Sequence, residues 1–218
     1  MELVMPVRQE GDPVVFIVDD NAQVRDGLRA LLESVGITCE TFESTNDFLH
    51  RNHEDEVSCL ILDIRLPGTG GLDFQDQLAR ANIEIPIIFI TGHGDIPMSV
   101  KAMKAGAVEF LTKPLREQDV LDAVHIALVR ASQQRDRHKA ATSLRARFEA
   151  LTDREREVMT LVVTGSSNKQ ISAELGISEV TVKVHRHNLM AKLGVRSVAQ
   201  LVRIADALRI DRRKINES

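Results

Sequence analysis

The sequence predicts an α/β half followed by an all-α half. Three observations carry that expectation. Up to about residue 130, short runs of β-branched and apolar residues alternate with segments of helical period. From Leu151 onward no strand-like run of convincing length follows. The backbone breakers divide the chain at the same place: all 6 Pro lie at or before Pro114, and no Gly occurs between Gly106 and Gly165. With 218 residues the chain has room for two small domains, each with its own core.

The front half holds five strand candidates in order: VVFIV (14–18), TCETF (38–42), CLIL (59–62), IIFI (87–90) and EFLT (109–112). The first, third and fourth are almost continuously apolar, the pattern of strands buried on both faces. Between them lie helical segments. AQVRDGLRALLESVG puts Val24, Leu28, Leu31, Leu32 and Val35 on one face and stops at Gly36. Further helices are expected over Leu72–Ala81, Ile96–Ala105 and Arg116 to about Arg130. Strands alternating with helices form a parallel sheet covered on both sides, and such sheets collect ligand chemistry at the carboxyl ends of their strands.

Those ends carry a consistent set of groups. The first strand ends in Asp19-Asp20, the third in Asp63 and the fourth in Thr91, and Lys113-Pro114 follows the fifth. Clustered carboxylates repel, and a hard divalent cation neutralises them. A lysine and a hydroxyl opposite that cation suit a phosphoryl group. A dinucleotide-binding enzyme would need a glycine fingerprint where this chain has DDNAQV. A phosphatase using a first-strand nucleophile would need a third acid two residues on and a cap domain, and neither is visible.

The segments IVDDN, LILDIRLPGTGGLDF and IIFITGHGDIPMSVKAMKAGAVEFLTKP resemble a two-component response-regulator receiver domain, a doubly wound (βα)5 flavodoxin-like fold, and the last segment is particularly similar to the FixJ type. The resemblance covers about residues 12–130. It implies that Asp63 accepts a phosphoryl group from a sensor histidine kinase. It implies Mg²⁺ held by Asp20, Asp63 and the backbone carbonyl of Arg65, with Asp19 acting largely through water. Thr91 and Lys113 would bind the phosphoryl group, Phe110 takes the place of the switch aromatic, and the Lys113-Pro114 peptide bond is expected to be cis. Such a domain accepts a phosphoryl group but turns over no external substrate, so the chain is not expected to be an enzyme.

In the back half, LTDREREVMTLVVTG opens with Thr152 and Glu155 at capping-box spacing. NKQISAELGISEVTVKVHRHNLMAKLG reads as two helices around Gly176, with Asn168 and Ser178 as N-caps, and a last helix runs from about Ser197 to Leu208. At about 100° per residue, Val182, Leu189 and Leu193 share the buried face of the second of these helices. Val180, Val184, His187 and Ala191 fall opposite, with Lys183 nearer the edge and His185 on the flank. Apolar residues on both faces suit a helix lying in a DNA major groove, where valine meets thymine methyls and Lys or His donates to guanine or phosphate.

The residues LTDREREV, NKQISAELGIS, TVKVH and KLGVRS resemble the four-helix LuxR/NarL-type helix-turn-helix domain over about residues 148–210. That resemblance implies double-stranded DNA as partner. It implies base contacts from Lys183, Val184 and His187, and backbone contacts from Asn168, Lys169, Ser178, Thr181 and Arg186. His187 stands where relatives often carry Lys or Arg.

The expected organisation is an N-terminal tail (1–12), a receiver domain (13–130), a helical linker (131–147) and a LuxR-type DNA-binding domain (148–218). Charge divides along similar lines. Residues 1–150 carry 16 Lys and Arg against 24 Asp and Glu, a net −8, whereas residues 151–218 carry 12 against 8, a net +4. In the join, Leu121, Val124, Leu128 and Ala131 fit a heptad seam, but Arg135, His138, Thr142 and Arg145 follow, so no long coiled coil is expected. Met98, Val100 and Met103 among Lys101 and Lys104 read as an exposed face suited to a homodimer formed on phosphorylation, and RNA polymerase is a further expected partner. Cys39 and Cys59 sit in apolar runs and read as reduced core residues. No run approaches the ~18 apolar residues of a membrane helix, and the N-terminal segment does not read as a secretory signal, so a cytoplasmic protein without membrane contact is expected. With no Trp or Tyr, aromatic stacking on single-stranded nucleic acid is not expected.

Overall fold

The computed structural model describes residues 12–51, 56–68, 70–92 and 96–208. Of the expected N-terminal tail only Asp12 is among them, and residues 209–218 also lie outside. Contacts divide the chain into two compact units, Met1–Asp136 and Arg137–Ser218.

The first unit is a five-stranded parallel sheet in the order β2-β1-β3-β4-β5, built from β1 (Val14–Val18), β2 (Thr38–Phe42), β3 (Ser58–Asp63), β4 (Ile87–Thr91) and β5 (Glu109–Thr112). Strands β1, β3 and β4 are buried along their whole length. The period-2 alternation divides their side chains between two cores. Val14, Phe16, Val18, Leu60, Leu62 and Phe89 enter one core with Phe48 and Phe74. Val15, Ile17, Cys59, Ile61, Ile88 and Ile90 enter the other with Leu28 and Leu32. The first core is covered by α2 (Thr45–Leu49), α3 (Gly71–Arg80) and α4 (Ile96–Lys104), the second by α1 (Ala22–Ser34) and the start of α5 (Glu117–Glu149).

Helix α2 has no counterpart in the sequence reading, because five residues are too few to show a helical period. Ser44 caps it, accepting from the Asp47 N–H at 3.2 Å, and it delivers Phe48 into the core, edge-on to Phe16, Phe42 and Phe74.

Helix α5 runs unbroken for 33 residues, so residues 131–147 lie within it. Its buried stripe is Val120, Ala123, Val124, Ala127 and Ala131. The heptad seam expected from sequence is spent within the unit: Val124 is buried in the second core, and Leu121 and Leu128 pack against it. The large apolar residues left exposed on this helix are Ile126 and Val129 instead. On α4 the expected exposed face is corrected at one position. Met98 packs against the first core, while Ile96, Val100 and Met103 are exposed at i, i+4, i+7 spacing.

In the second unit, α6 (Asp153–Val163), α7 (Asn168–Leu175), α8 (Glu179–Leu193) and α9 (Val198–Ala207) enclose a third core that includes Val158, Ile171, Val182, Leu189 and Leu201. The Thr152/Glu155 capping box starts α6 as expected. Asn168 is not a cap. Ser167 is, in a second capping box with Gln170, because its hydroxyl reaches the Gln170 N–H while Asn168 already has helical geometry. The turn between α7 and α8 uses Gly176 at φ 65°, a left-handed conformation that favours glycine.

Candidate functional site

The acid cluster is assembled from two strand ends, those of β1 and β3. Asp19, one residue past β1, is fully buried; Asp63 closes β3 at 6 % exposure; Asp20 is exposed. Carboxylate oxygens of the three lie within 4.8 Å of one another. The strand order reverses direction between β1 and β3, so the acids lie in the crevice that open α/β sheets use for ligands.

Asp19 and Asp63 are aimed by local structure. The Asn21 side chain accepts from the Gln23 N–H at 2.9 Å and caps α1, while the Asn21 N–H donates to Asp19 Oδ1 at 2.8 Å. Arg25, one turn into α1, donates to the Asp19 carbonyl at 2.6 Å. Asp63 Oδ1 accepts from the Arg65 N–H at 3.0 Å. The Lys113 ammonium spans the pair, donating to Asp19 Oδ2 at 2.7 Å and to Asp63 Oδ2 at 2.8 Å. The backbone N–H of Lys113 donates to the Thr91 carbonyl at 2.8 Å, and the Lys113-Pro114 bond is cis as expected. Thr91 ends β4 beside Asp63 and is fully buried, and Phe110 lies partly buried against the first core.

Burial raises the Asp19 carboxyl above its ordinary value, although the Lys113 and Asn21 hydrogen bonds act against it. Burial works against the Lys113 ammonium, but its bonds to Asp19 and Asp63 raise it overall. Three carboxylates facing one ammonium leave an excess of negative charge among oxygen donors, a set that fits a hard divalent cation.

Gly71 was not singled out in the sequence. It opens α3, donates its N–H to the Ile64 carbonyl at 2.9 Å, and lies so close to the end of β3 that a Cβ there would stand 2.7 Å from the Asp63 carbonyl oxygen. The signal was the Gly70-Gly71 pair after the strand, but glycine pairs are common in loops and nothing local reveals what they touch. Asn21 and Arg25 were also missed, for the same reason.

The helix-turn-helix presents the expected outer face. On α8, Val182, Leu189 and Leu193 are buried, whereas Val180, Lys183, Val184 and His187 are exposed, with Val180 at 70 % and Val184 at 51 %. Lys169 is exposed at the start of α7. Ser178 caps α8 and shares a hydrogen bond with the Thr181 hydroxyl at 2.8 Å. Arg186 donates to Asn168 Oδ1 at 2.7 Å, tying α8 to α7. Behind this face Lys192 anchors α8 to the scaffold, donating to Glu155 at 2.7 Å and to the Ala150 carbonyl at 3.3 Å. Burial opposes the Glu155 charge, yet hydrogen bonds from Lys192 and Thr152 hold its carboxyl below the ordinary 4.5.

Comparison with known proteins matches both units. Residues 15–125 match the response regulator receiver domain, and residues 149–205 match the bacterial regulatory proteins of the luxR family. Nodulation protein W of Bradyrhizobium diazoefficiens is 50 % identical over 197 residues, covering 90 % of this chain and 87 % of that protein. Response regulator protein TmoT of Ectopseudomonas mendocina is 48 % identical over 198 residues, covering 91 % and 90 %. Among solved structures, response regulator StyR superposes with a TM-score of 0.80 at 50 % identity, covering 90 % of this chain and 99 % of that one. The chain therefore belongs to the two-component response regulators that join a receiver domain to a LuxR-type DNA-binding domain.

Proposed function

We propose that a sensor histidine kinase transfers a phosphoryl group to Asp63 and that this modification controls DNA binding through the α8 face. The observation that carries the reading is the Lys113 ammonium bridging Asp19 and Asp63 beside the hydroxyl-bearing end of β4. An Asp63 carboxylate oxygen forms the new P–O bond while the P–N bond of a phosphohistidine breaks and the imidazole leaves. Asp19, Asp20, Asp63 and the Arg65 carbonyl would hold Mg²⁺, which supplies charge neutralisation on the phosphoryl oxygens. Lys113 then pairs with the new phosphoryl charge, and Thr91 donates its hydroxyl to it. That movement vacates space beside β4 that Phe110 can fill.

Transfer to Asp63 is stoichiometric, so the protein modifies itself and is not an enzyme toward other substrates. The receiver occupies residues 13–130, the linker 131–147 and the DNA-binding domain 148–218. Lys183, Val184 and His187 contact bases, and Asn168, Lys169, Ser178, Thr181 and Arg186 contact the DNA backbone. The phosphorylated protein is a homodimer in the cytoplasm and engages RNA polymerase. The test is incubation with Mg²⁺ and a small phosphodonor, which should yield a base-labile acyl phosphate in the wild type and none in Asp63→Asn. Equal labelling of both would remove Asp63 from its role.

A further inference from the structure

Arg186 stands apart from the rest of the outer face of α8. It lies ~40° around the helix from Val182, on the flank that meets α7 and not among the side chains opposite the core. It is half-buried, and its Nη1 donates at 2.7 Å to Oδ1 of Asn168, the first residue of α7. Among the described residues no carboxylate pairs with it, so a neutral amide is its partner and its charge is left uncompensated. A guanidinium carries only N–H donors and no acceptor. The Arg186 nitrogens outside this bond have no partner among the described residues, yet none of them is buried, so they open to solvent.

Asn168 gains a fixed orientation from the same bond. Because Arg186 can only donate, the amide turns Oδ1 toward it and Nδ2 away. Nδ2 is likewise not buried. The pair therefore shows N–H donors to solvent, and Lys169, which follows Asn168 in α7, is exposed. Donors and positive charge without a carboxylate suit an anion that accepts at more than one oxygen, as a DNA phosphate does.

We propose that Asn168 and Arg186 form one coupled phosphate clamp, in which Asn168 is a positioning residue that holds the Arg186 fork ready for the DNA backbone. The inference rests on the DNA-binding reading, which gives the two residues separate backbone contacts. The hydrogen bond between them adds that Arg186 does not work at full strength without Asn168. An arginine already held by Asn168 has given up the rotamer freedom that a free one would lose on meeting a phosphate.

The test is a double-mutant cycle on the full-length protein with Mg²⁺ and a small phosphodonor present. Fluorescence anisotropy of a fluorescein-labelled duplex of mixed sequence gives the dissociation constant across a salt series. Arg186→Met should weaken binding by about tenfold, the loss of a hydrogen bond to a charged group. It should also reduce the slope of log K against log salt by about 0.9, the value for one phosphate. In the Asn168→Ala background the same change should cost less than about threefold. If Arg186→Met does not fold, Arg186→Gln takes its place. Thermal melting by circular dichroism separates a clamp from a brace: a pair that only ties α7 to α8 would show its coupling in Tm and none in DNA affinity, which overturns the proposal. It is also overturned if the Arg186 substitution costs the same factor with and without Asn168, or costs nothing in either. Lys169→Ala is measured alongside. If it weakens binding while the cycle is additive, the clamp alone fails; if it too changes nothing, the backbone contacts of the DNA-binding reading fail with it.

Discussion

Gly71→Ala tests how Asp63 is held. The added methyl carbon would meet the Asp63 carbonyl oxygen at 2.7 Å, Ile64 Cα at 2.9 Å and Phe89 Cε1 at 3.2 Å. Ordinary contact begins at 3.4 Å, so the backbone at the end of β3 must retreat by about 0.5–0.7 Å. Two of the three obstacles are backbone atoms in a packed region, and overpacking of this kind costs about 1–3 kcal/mol. The displaced atoms belong to Asp63 and its neighbour, so the carboxylate moves relative to Lys113. A misplacement of ~1 Å can cost about 10²-fold in rate, and a loss of about tenfold or more in phosphorylation by a small phosphodonor is expected here. Gly70→Ala is the matched control: its φ is −60°, and its nearest contact would be Asp73 Oδ2 at 3.5 Å, so both stability and rate should stay near wild type. Stability is read by calorimetry or far-ultraviolet circular dichroism, since the chain has no Trp or Tyr. If Gly71→Ala matches the wild type in both measurements, or if Gly70→Ala does equal damage, the close packing of α3 on β3 does not position Asp63.

Other consequences can be measured directly. Lys183→Ala should lose about 1–3 kcal/mol of discrimination between its selected site and a mismatched one, whereas Lys169→Ala should weaken all sequences alike and flatten the salt dependence; unchanged site selection by Lys183→Ala would remove it from the groove. Because the folded Glu155 carboxyl lies below its ordinary 4.5, its stabilising contribution is complete above that value and is lost as pH falls through the folded pKa. Glu155→Gln should therefore be less stable at neutral pH by about 1–3 kcal/mol and show a shallower loss on acidification, and parallel acid profiles for the two proteins would count against the Lys192–Glu155 anchor. Light scattering with and without a phosphoryl mimic should show mass doubling that charge reversal at Lys101 and Lys104 prevents. A dimer of unchanged mass in both states, insensitive to that reversal, would refute dimerisation through α4.

Legibility followed the range of the interactions. The buried strands could be read because a strand apolar at every position has nowhere to lie except between two covered faces, and β1, β3 and β4 do. Both faces of α8 could be read because helical period alone sets which side chains oppose Val182. Where two competitors differ by one hydrogen bond, the pattern was insufficient: Ser167 and Asn168 are adjacent, both can cap, and the reach of one hydroxyl to Gln170 decides. The same holds for Met98, whose flexible side chain turns inward although Ile96 and Val100, two positions away on either side, are exposed.

Local pattern along the chain set the type and order of every principal element except α2, the presence of acids, hydroxyl and lysine at successive strand ends, and the amphipathic faces of the second unit. These depend on periods of 2 and 3.6 residues and on caps spanning three, all of which are local. Which of those groups meet is set by contacts between distant parts of the chain. Lys113 reaches Asp19 across 94 positions of chain and Asp63 across 50. The apolar seam of α5 packs on its own sheet instead of standing free. Gly71 fits against the Asp63 carbonyl because two elements approach closer than any Cβ allows. Each of these is a contact between elements brought together by the strand order, and no local period along the chain records where a crossover will place its end.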